Sequence, residues 1–430
     1  MTLTRLTRLL CTAALGALTV GCGARTGLPA PDIGLDAGVD MAMDMAVDAE
    51  VPCLEIPFDA GIVEVELETE ARVGRADVVF LIDRTLSMSE EISRIRDRLR
   101  DRIAPAIRAA IPDSQLAVAS FADFPVADYG SQADGDTPFT LHLSSSAAVE
   151  SAQGAVDSIR LSNGLDRRES QVEALYQVAT GAGIGSFVPP SVGCPSGGVG
   201  YACLRTDALP VIMLFTDAQF HNDPFEAGSE YVGVFPAPHT WDETLAELDR
   251  IGARVLGFDS GGGTAAPPLR RLATMTGAVD DRGAPLVFDI GTVGERLSTG
   301  VVDAIRTFAS TAIQDISVIA QDPDRNDGVD VLQFVDGIIP VRAVPMDGIS
   351  GRDIPGQAFL GVRAGTLLVF SVALRNGVVA PGVGPQRFRL ELLFVGDGRA
   401  FIDRQIVEIV IPGADGSGCD DLPMMLTPAP

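Results

Sequence analysis

The sequence contains no lysine; all 32 basic residues are arginine, against 58 acidic residues, for a formal charge of −26. That balance excludes nucleic-acid binders, which need basic surface to release counterions from phosphate. It also excludes an electrostatic grip on anionic lipid. Three histidines and six scattered cysteines, with no C-x-x-C pair, leave little for a zinc site or a histidine-dependent catalyst. There is no P-loop and no Ser/His/Asp set, so the chain is not expected to be an enzyme. Beyond the N-terminus no apolar run free of charge is long enough to span a bilayer. What is abundant is apolar residues, 46% of 430, enough for two or three packed domains.

The first 21 residues read as an export signal. Arg5 and Arg8 precede an apolar run from Leu9 to Val20, too short for a spanning helix. The run ends in Thr19-Val20-Gly21-Cys22, which resembles a bacterial lipobox and implies acylation of Cys22. Thr19 stands where that motif prefers Leu, and plain secretion with cleavage near Gly21 is the other reading. Lipid attachment at Cys22 would be the chain's one membrane contact, on the outer membrane or cell surface. Residues 22–56 read as an acidic tether. Asp32, Asp36, Asp40, Asp44 and Asp48 recur every fourth residue and would repel along a helix face, which favours an extended spacer.

From about Arg72 the texture changes. The run from Asp77 to Ile82 predicts a strand buried on both faces. Ser89–Ala110 has apolar residues at helical spacing, and further strands are expected at Gln115–Phe121, Leu209–Phe215 and Arg254–Phe258. Helices are expected at Ser170–Gly181, Trp241–Ile251, Pro268–Met275 and Val293–Ala309. The alternation predicts an α/β, doubly wound, mostly parallel sheet over residues 72–310, with ligands bound at the carboxyl ends of its strands. At those ends lie Asp83, Thr85 and Ser87, then Asp166 and Glu169, then Asp217. Alternate side chains of a tight loop share one side, and this set offers oxygen alone, which suits Mg²⁺, Mn²⁺ or Ca²⁺. Each acid alone is more readily a helix cap or turn residue than a ligand. Together they would leave uncompensated charge without a cation.

The region 72–309 resembles a von Willebrand factor type A (VWA) domain, most of all its integrin β-subunit version. The D-x-[ST]-x-S-M opening is matched by Asp83, Thr85, Ser87 and Met88, and T-D-A-x-x-H by Thr216, Asp217, Ala218 and His221. The resemblance implies a metal-ion-dependent adhesion site (MIDAS) holding Mg²⁺ or Mn²⁺ on Asp83, Thr85, Ser87, Glu169 and Asp217. It also implies adjacent sites, with Ca²⁺ as a candidate ion. One would use Glu90 and Glu91, which serve equally well as helix-start acids. The other would use Asp123, Asp166 and Glu169. Here the sequence departs from the family: Arg168 replaces a Pro, and Asn163 is one place out of register. His221 reads as a packed, loop-shaping residue. Arg84 reads as a solvated side chain, or as a positive charge that helps select an acidic ligand.

Ser186–Asp207 is a Gly- and Pro-rich insertion, with Cys194 and Cys203 placed to close a disulfide in an exported protein. It is a candidate specificity loop or a stabilised surface excursion. After residue 312 the helical period gives way to short β-rich runs, among them Val329–Phe334, which predict a smaller all-β, Ig-like sandwich over residues 313–413 with a tail at 414–430. Asp322–Gly328 reads as an acidic turn, its Gly one place late for an EF-hand. Cys53 and Cys419 flank the folded body and are candidates to pair. The expected function is a cell-envelope lipoprotein that binds a protein or other extracellular ligand, through an acidic group, at the bound cation. The alternative is an envelope scaffold in which the metal only stabilises the fold.

Overall fold

The structure is a computed structural model and describes residues 52–194 and 197–419. The expected signal segment, Cys22 and the spacer as far as residue 51 lie outside the described residues, as do residues 420–430 of the tail. Two strands come first, β1 (Cys53–Glu55) and β2 (Val63–Glu70). An α/β unit opens with β3 (Arg75–Asp83), α1 (Ser89–Arg98), α2 (Ala104–Ala110), β4 (Asp113–Phe121), β5 (Thr140–Ser146), α3 (Val149–Ser158), β6 (Arg168–Glu169) and α4 (Gln171–Thr180). It continues through β7 (Leu209–Thr216), β8 (Gln219–Phe220), α5 (Trp241–Arg250), β9 (Arg254–Asp259), α6 (Ala266–Met275), β10 (Val287–Asp289) and α7 (Leu297–Thr311). The strands β11 (Ile313–Gln321), β12 (Val335–Val344), β13 (Gly351–Asp353), β14 (Ala358–Arg363), β15 (Leu367–Leu374), β16 (Gln386–Gly396) and β17 (Ala400–Ile411) follow.

The central sheet runs β10-β9-β7-β3-β4-β5, parallel throughout except for β5. Its middle strands are apolar without alternation because helices cover both faces. In β3, Val78, Phe80 and Ile82 pack with α1, α2 and α7, while Val79 and Leu81 pack with α4, α5 and α6. The period-2 geometry of a strand sends neighbours to opposite layers. From β3 the chain moves first to β4 on one side and later to β7 on the other. That reversal leaves a crevice at the carboxyl ends of β3 and β7.

Three expectations are corrected. The helix over 89–110 is split by a π-helical turn at Leu99–Ile103, just before Pro105, which has no amide proton to donate back along the helix. Residues 331–334 form a 3₁₀ turn rather than a strand, because the Asp330 side chain accepts from the Leu332 amide and starts a helical turn; β12 begins only at Val335. The tether does not extend to residue 56. β1 pairs in parallel with β17, and Ile56 sits in the sandwich core.

The sandwich therefore is not simply C-terminal. One sheet is β1-β17-β16-β11-β14-β13 and the other β12-β15-β2, with the α/β unit inserted between β2 and β11. Both crossings are held by one turn: the Ala71 amide donates to Thr366 O, Gly365 N to Ala71 O, and Ala364 N to Ala312 O. The two units meet at the amino ends of the parallel strands. There a Cβ on Gly74 would lie 2.5 Å from Ile402 O, so only glycine lets the backbones approach. Arg254 bonds Asp397 at 2.6 Å, and the Arg75 guanidinium lies 4.6 Å from the Phe401 ring centroid. Cys53 and Cys419 are disulfide-bonded, as are Cys194 and Cys203. No helix among the described residues is long and apolar enough to cross a membrane.

Candidate metal centre

Asp83 shapes the loop that follows it. Its Oδ1 accepts from the Thr85 amide at 3.0 Å and the Thr85 hydroxyl at 2.7 Å, folding residues 83–85 into a tight turn. The Thr85 hydroxyl lies 3.2 Å from that of Ser87, so the alternate residues do reach one side. Asp83 Oδ2 accepts from Thr216 Oγ1 at 2.8 Å, across the crevice at the end of β7. Ser87 in turn donates to Asp217. Glu169 is delivered by β6, which pairs with β8 in a two-residue parallel ladder. Gly164, at φ +62°, makes room: a Cβ there would lie 2.9 Å from Glu169 Oε1 and 3.5 Å from Thr85 Cγ2. Asp83 is thus linked to Thr85 and Thr216 by hydrogen bonds and to Asp217 and Glu169 by charge, and Ser87 is linked to Thr85 and Asp217.

The charges of this set are poorly compensated. Burial raises the Asp83 carboxyl to about 7, and Asp217 pushes it the same way. Burial holds Glu169 well above the carboxylate range, with Asp83, Asp123 and Asp166 adding to the effect. Asp217 is raised by burial and by Asp259 behind it, against the Ser87 hydrogen bond. Glu169 is buried, and its Oε2 has no hydrogen-bond partner. A buried, unpaired carboxylate oxygen among other acids is the position a hard cation fits. Arg84 is the positive charge nearby, felt by Asp136, Asp83 and Glu169, but it makes no hydrogen bond to Asp83 or Glu169. It is buried, neither solvated nor free for a ligand, and its guanidinium bonds Arg160 O and Thr137 Oγ1, both at 3.1 Å.

The adjacent positions differ from one another. Glu90 is exposed and accepts from Ser89 Oγ at 2.6 Å, which lowers its pKa. Glu91 is fully buried with neither oxygen bonded to another residue, and burial raises it to about 7. The two do not face one point; Glu91 alone turns inward, towards Gly294. Asp123 and Asp166, by contrast, converge with His221. The sequence reading matched Thr216 without giving it a role, and it holds Asp83; two contributors were not singled out, Gln171, whose amide bonds Thr216 Oγ1 at 3.0 Å, and Tyr231, which donates to Asp123. Thr216 was visible within T-D-A. Tyr231 lies in an irregular loop that carries no periodic signal.

The insertion is only in part where a specificity loop would need to be. Tyr201 N donates to Val178 O, and Arg205 pairs with Asp77 and Asp113, so the Cys194–Cys203 loop sits towards the amino ends of the strands, away from Asp83. Only its first limb reaches the ligand edge, where Phe187 packs edge-on against Phe124 at 5.1 Å.

The strand order and the loops at the carboxyl edge make the α/β unit a doubly wound, mostly parallel sheet, as the sequence predicts. No protein-family model matches the sequence, and no curated protein matches it. Among solved structures, the chain is similar to a von Willebrand factor type A protein from Catenulispora acidiphila, at 12% identity over 84% of this chain and 73% of that one, with a TM-score of 0.34. It is also similar to the pilus adhesin SpaC from Lactobacillus rhamnosus GG in its open conformation, at 14% identity over 83% and 46% of the two chains, TM-score 0.32. A third is proximal thread matrix protein 1 from the mussel byssus, at 15% identity over 59% and 51%, TM-score 0.33. The chain thus spans about half the length of the latter two.

Proposed function

We propose that this protein is an exported, lipid-anchored envelope protein that binds an extracellular ligand, a protein or another molecule with an acidic group, through a divalent cation. Asp83, Thr85, Ser87, Glu169 and Asp217 would hold the ion, directly or through water, as a MIDAS-like centre of the integrin β kind. Mg²⁺ or Mn²⁺ suits an all-oxygen set. The observation that carries this reading is the unpartnered, buried Oε2 of Glu169 in the field of Asp83, which in turn feels Asp217, three carboxylates all shifted towards protonation.

When bound, the cation supplies a coordination position that an acidic side chain can fill. The protein's residues do the rest. Thr216 and Thr85 fix the rotamer of Asp83, Ser87 steadies Asp217, and Gly164 lets Glu169 approach. At −26 the chain repels an acidic ligand at long range, so only a local positive charge reverses that preference.

The test is recovery of partners from envelope extract on immobilised protein. Binding is expected with Mg²⁺ or Mn²⁺ and not with EDTA, and Asp217→Ala should behave like EDTA. If the same partners bind in EDTA and to Asp83→Ala, the adhesion reading fails and the envelope-scaffold reading replaces it. Lipid attachment is tested by mass spectrometry of the mature N-terminus, where an unmodified protein starting elsewhere than Cys22 would reject it.

A further inference from the structure

We propose that Asp123, Asp166 and His221 form a second metal centre, chemically distinct from the Asp83 crevice, that takes a first-row transition ion such as Zn²⁺ in preference to Ca²⁺ or Mg²⁺. The sequence placed Asp123 and Asp166 in an all-oxygen site with Glu169, and counted three histidines as too few for zinc. The fold brings one of those histidines to the right point.

The argument begins with the tautomer. His221 Nδ1 lies 2.8 Å from Ser229 O, and a carbonyl only accepts, so Nδ1 carries the proton. Nε2 then points at two carboxylates, 2.9 Å from Asp166 Oδ2 and 3.4 Å from Asp123 Oδ2. A nitrogen lone pair and two carboxylate oxygens repel unless a positive charge, a proton or a metal ion, stands among them. Histidine metal ligands commonly donate their other ring N–H to a backbone carbonyl in this way.

The carboxylates are held in the same manner. Asp123 Oδ1 accepts from the Phe124 amide at 2.6 Å and from the Tyr231 hydroxyl, while its buried Oδ2 has no hydrogen-bond partner. Asp166 Oδ1 accepts from the Arg168 amide at 3.2 Å, leaving Oδ2 directed at the ring. Each acid thus has one oxygen spent on positioning and one presented. The imidazole is fixed as well, stacked on Tyr231 at 4.1 Å and met edge-on by Tyr129 at 5.1 Å.

The spacing and donor types identify the class of ion. Ligand atoms around an ion with bonds of about 2.1 Å, at angles of about 90–110°, lie about 3.0–3.4 Å apart. The observed 2.9 and 3.4 Å fall close to that range. One imidazole nitrogen with two carboxylate oxygens suits zinc and its neighbours, whereas calcium and magnesium select oxygen alone. Asp123 and His221 are buried, and Asp166 is exposed, so an ion has a way in and water can complete the coordination.

The test uses the full chain, stripped with chelator and titrated calorimetrically with Zn²⁺, Ca²⁺ and Mg²⁺. The parent is expected to bind Zn²⁺ more tightly than Ca²⁺. Asp83→Ala should retain that affinity, which separates this centre from the proposed adhesion site. His221→Gln and Asp166→Asn should each weaken Zn²⁺ binding by about tenfold or more. Asp166 is exposed, so Asp166→Asn keeps the test valid if the buried His221 variant fails to fold. In nitrogen-15 NMR, Zn²⁺ should shift His221 Nε2 and leave Nδ1 protonated. Absence of Zn²⁺ binding by the parent would overturn the proposal and leave a proton shared among the three groups. Loss of Zn²⁺ in Asp83→Ala with retention in Asp166→Asn would overturn it too.

Discussion

Asp83 accepts three hydrogen bonds and still stands in the field of Asp217, and its titration follows from that conflict. In chelated protein its carboxyl rises from an ordinary 3.8 to about 7, so between those values the folded state holds a proton that the unfolded state has released. The contribution of this group to stability is therefore full below about pH 4 and is lost as pH climbs through about 7. Glu91, also raised to about 7, acts in the same direction. Thermal melts in EDTA should show Tm falling over this window, and saturating Mg²⁺ should flatten the fall. Asp83→Asn separates the two effects. Without metal at pH 8 it should melt higher than the parent, because a buried charge is gone, and in calorimetry it should lose the Mg²⁺ heat. The acids that make this centre were legible because they sit in short motifs at strand ends. Their partners were less so: the Gln171 amide that bonds Thr216 has no mark in a sequence.

Among the elements, the loop before β6 is the most sensitive part of the candidate site. Gly164→Ala would place a methyl 2.9 Å from Glu169 Oε1 on a backbone at φ +62°. The variant should fold, and its Mg²⁺ affinity should fall several-fold by calorimetry while its Zn²⁺ affinity changes less. Helix α5 supplies a control away from the proposed metal centres. Thr240 and Glu243 form a reciprocal capping box, so Thr240→Ala should cost about 1 kcal/mol in urea melts with cation affinity unchanged. β3 and β7 were readable because continuous apolar runs mark strands covered on both faces. β5, Thr-Leu-His-Leu-Ser-Ser-Ser, was not, since an edge strand with every residue half-buried has weak contrast. β2 is a different case. Val63-Glu64-Val65-Glu66-Leu67-Glu68-Thr69-Glu70 alternates strictly, and Leu67 and Thr69 are buried while the glutamates face out. The signal was present, but the strand's partner, β15, is remote in sequence. For the same reason an inserted unit looked like one that simply comes first.

At the scale of the molecule, the Cys53–Cys419 bond spans 366 positions and ties the sandwich where its first and last described strands run side by side. Replacing both cysteines with serine should lower stability by about 2–5 kcal/mol in denaturant melts, with cation binding retained at the far edge of the α/β sheet. The insertion itself bears on the order of folding. Thr69 and Asp403, hydrogen-bonded in the finished sandwich, are 334 positions apart, and closing so long a flexible loop is slow. Once the α/β unit has formed, however, Ala71 and Ala312 are both within reach of the turn that holds residues 364–366, and the interval collapses to a short gap between two fixed points. Assembly should therefore run inward-out. In pulsed hydrogen exchange, amides of β3 and β7 should gain protection before those of β2 and β15, and during synthesis the first sandwich strands must wait for the last.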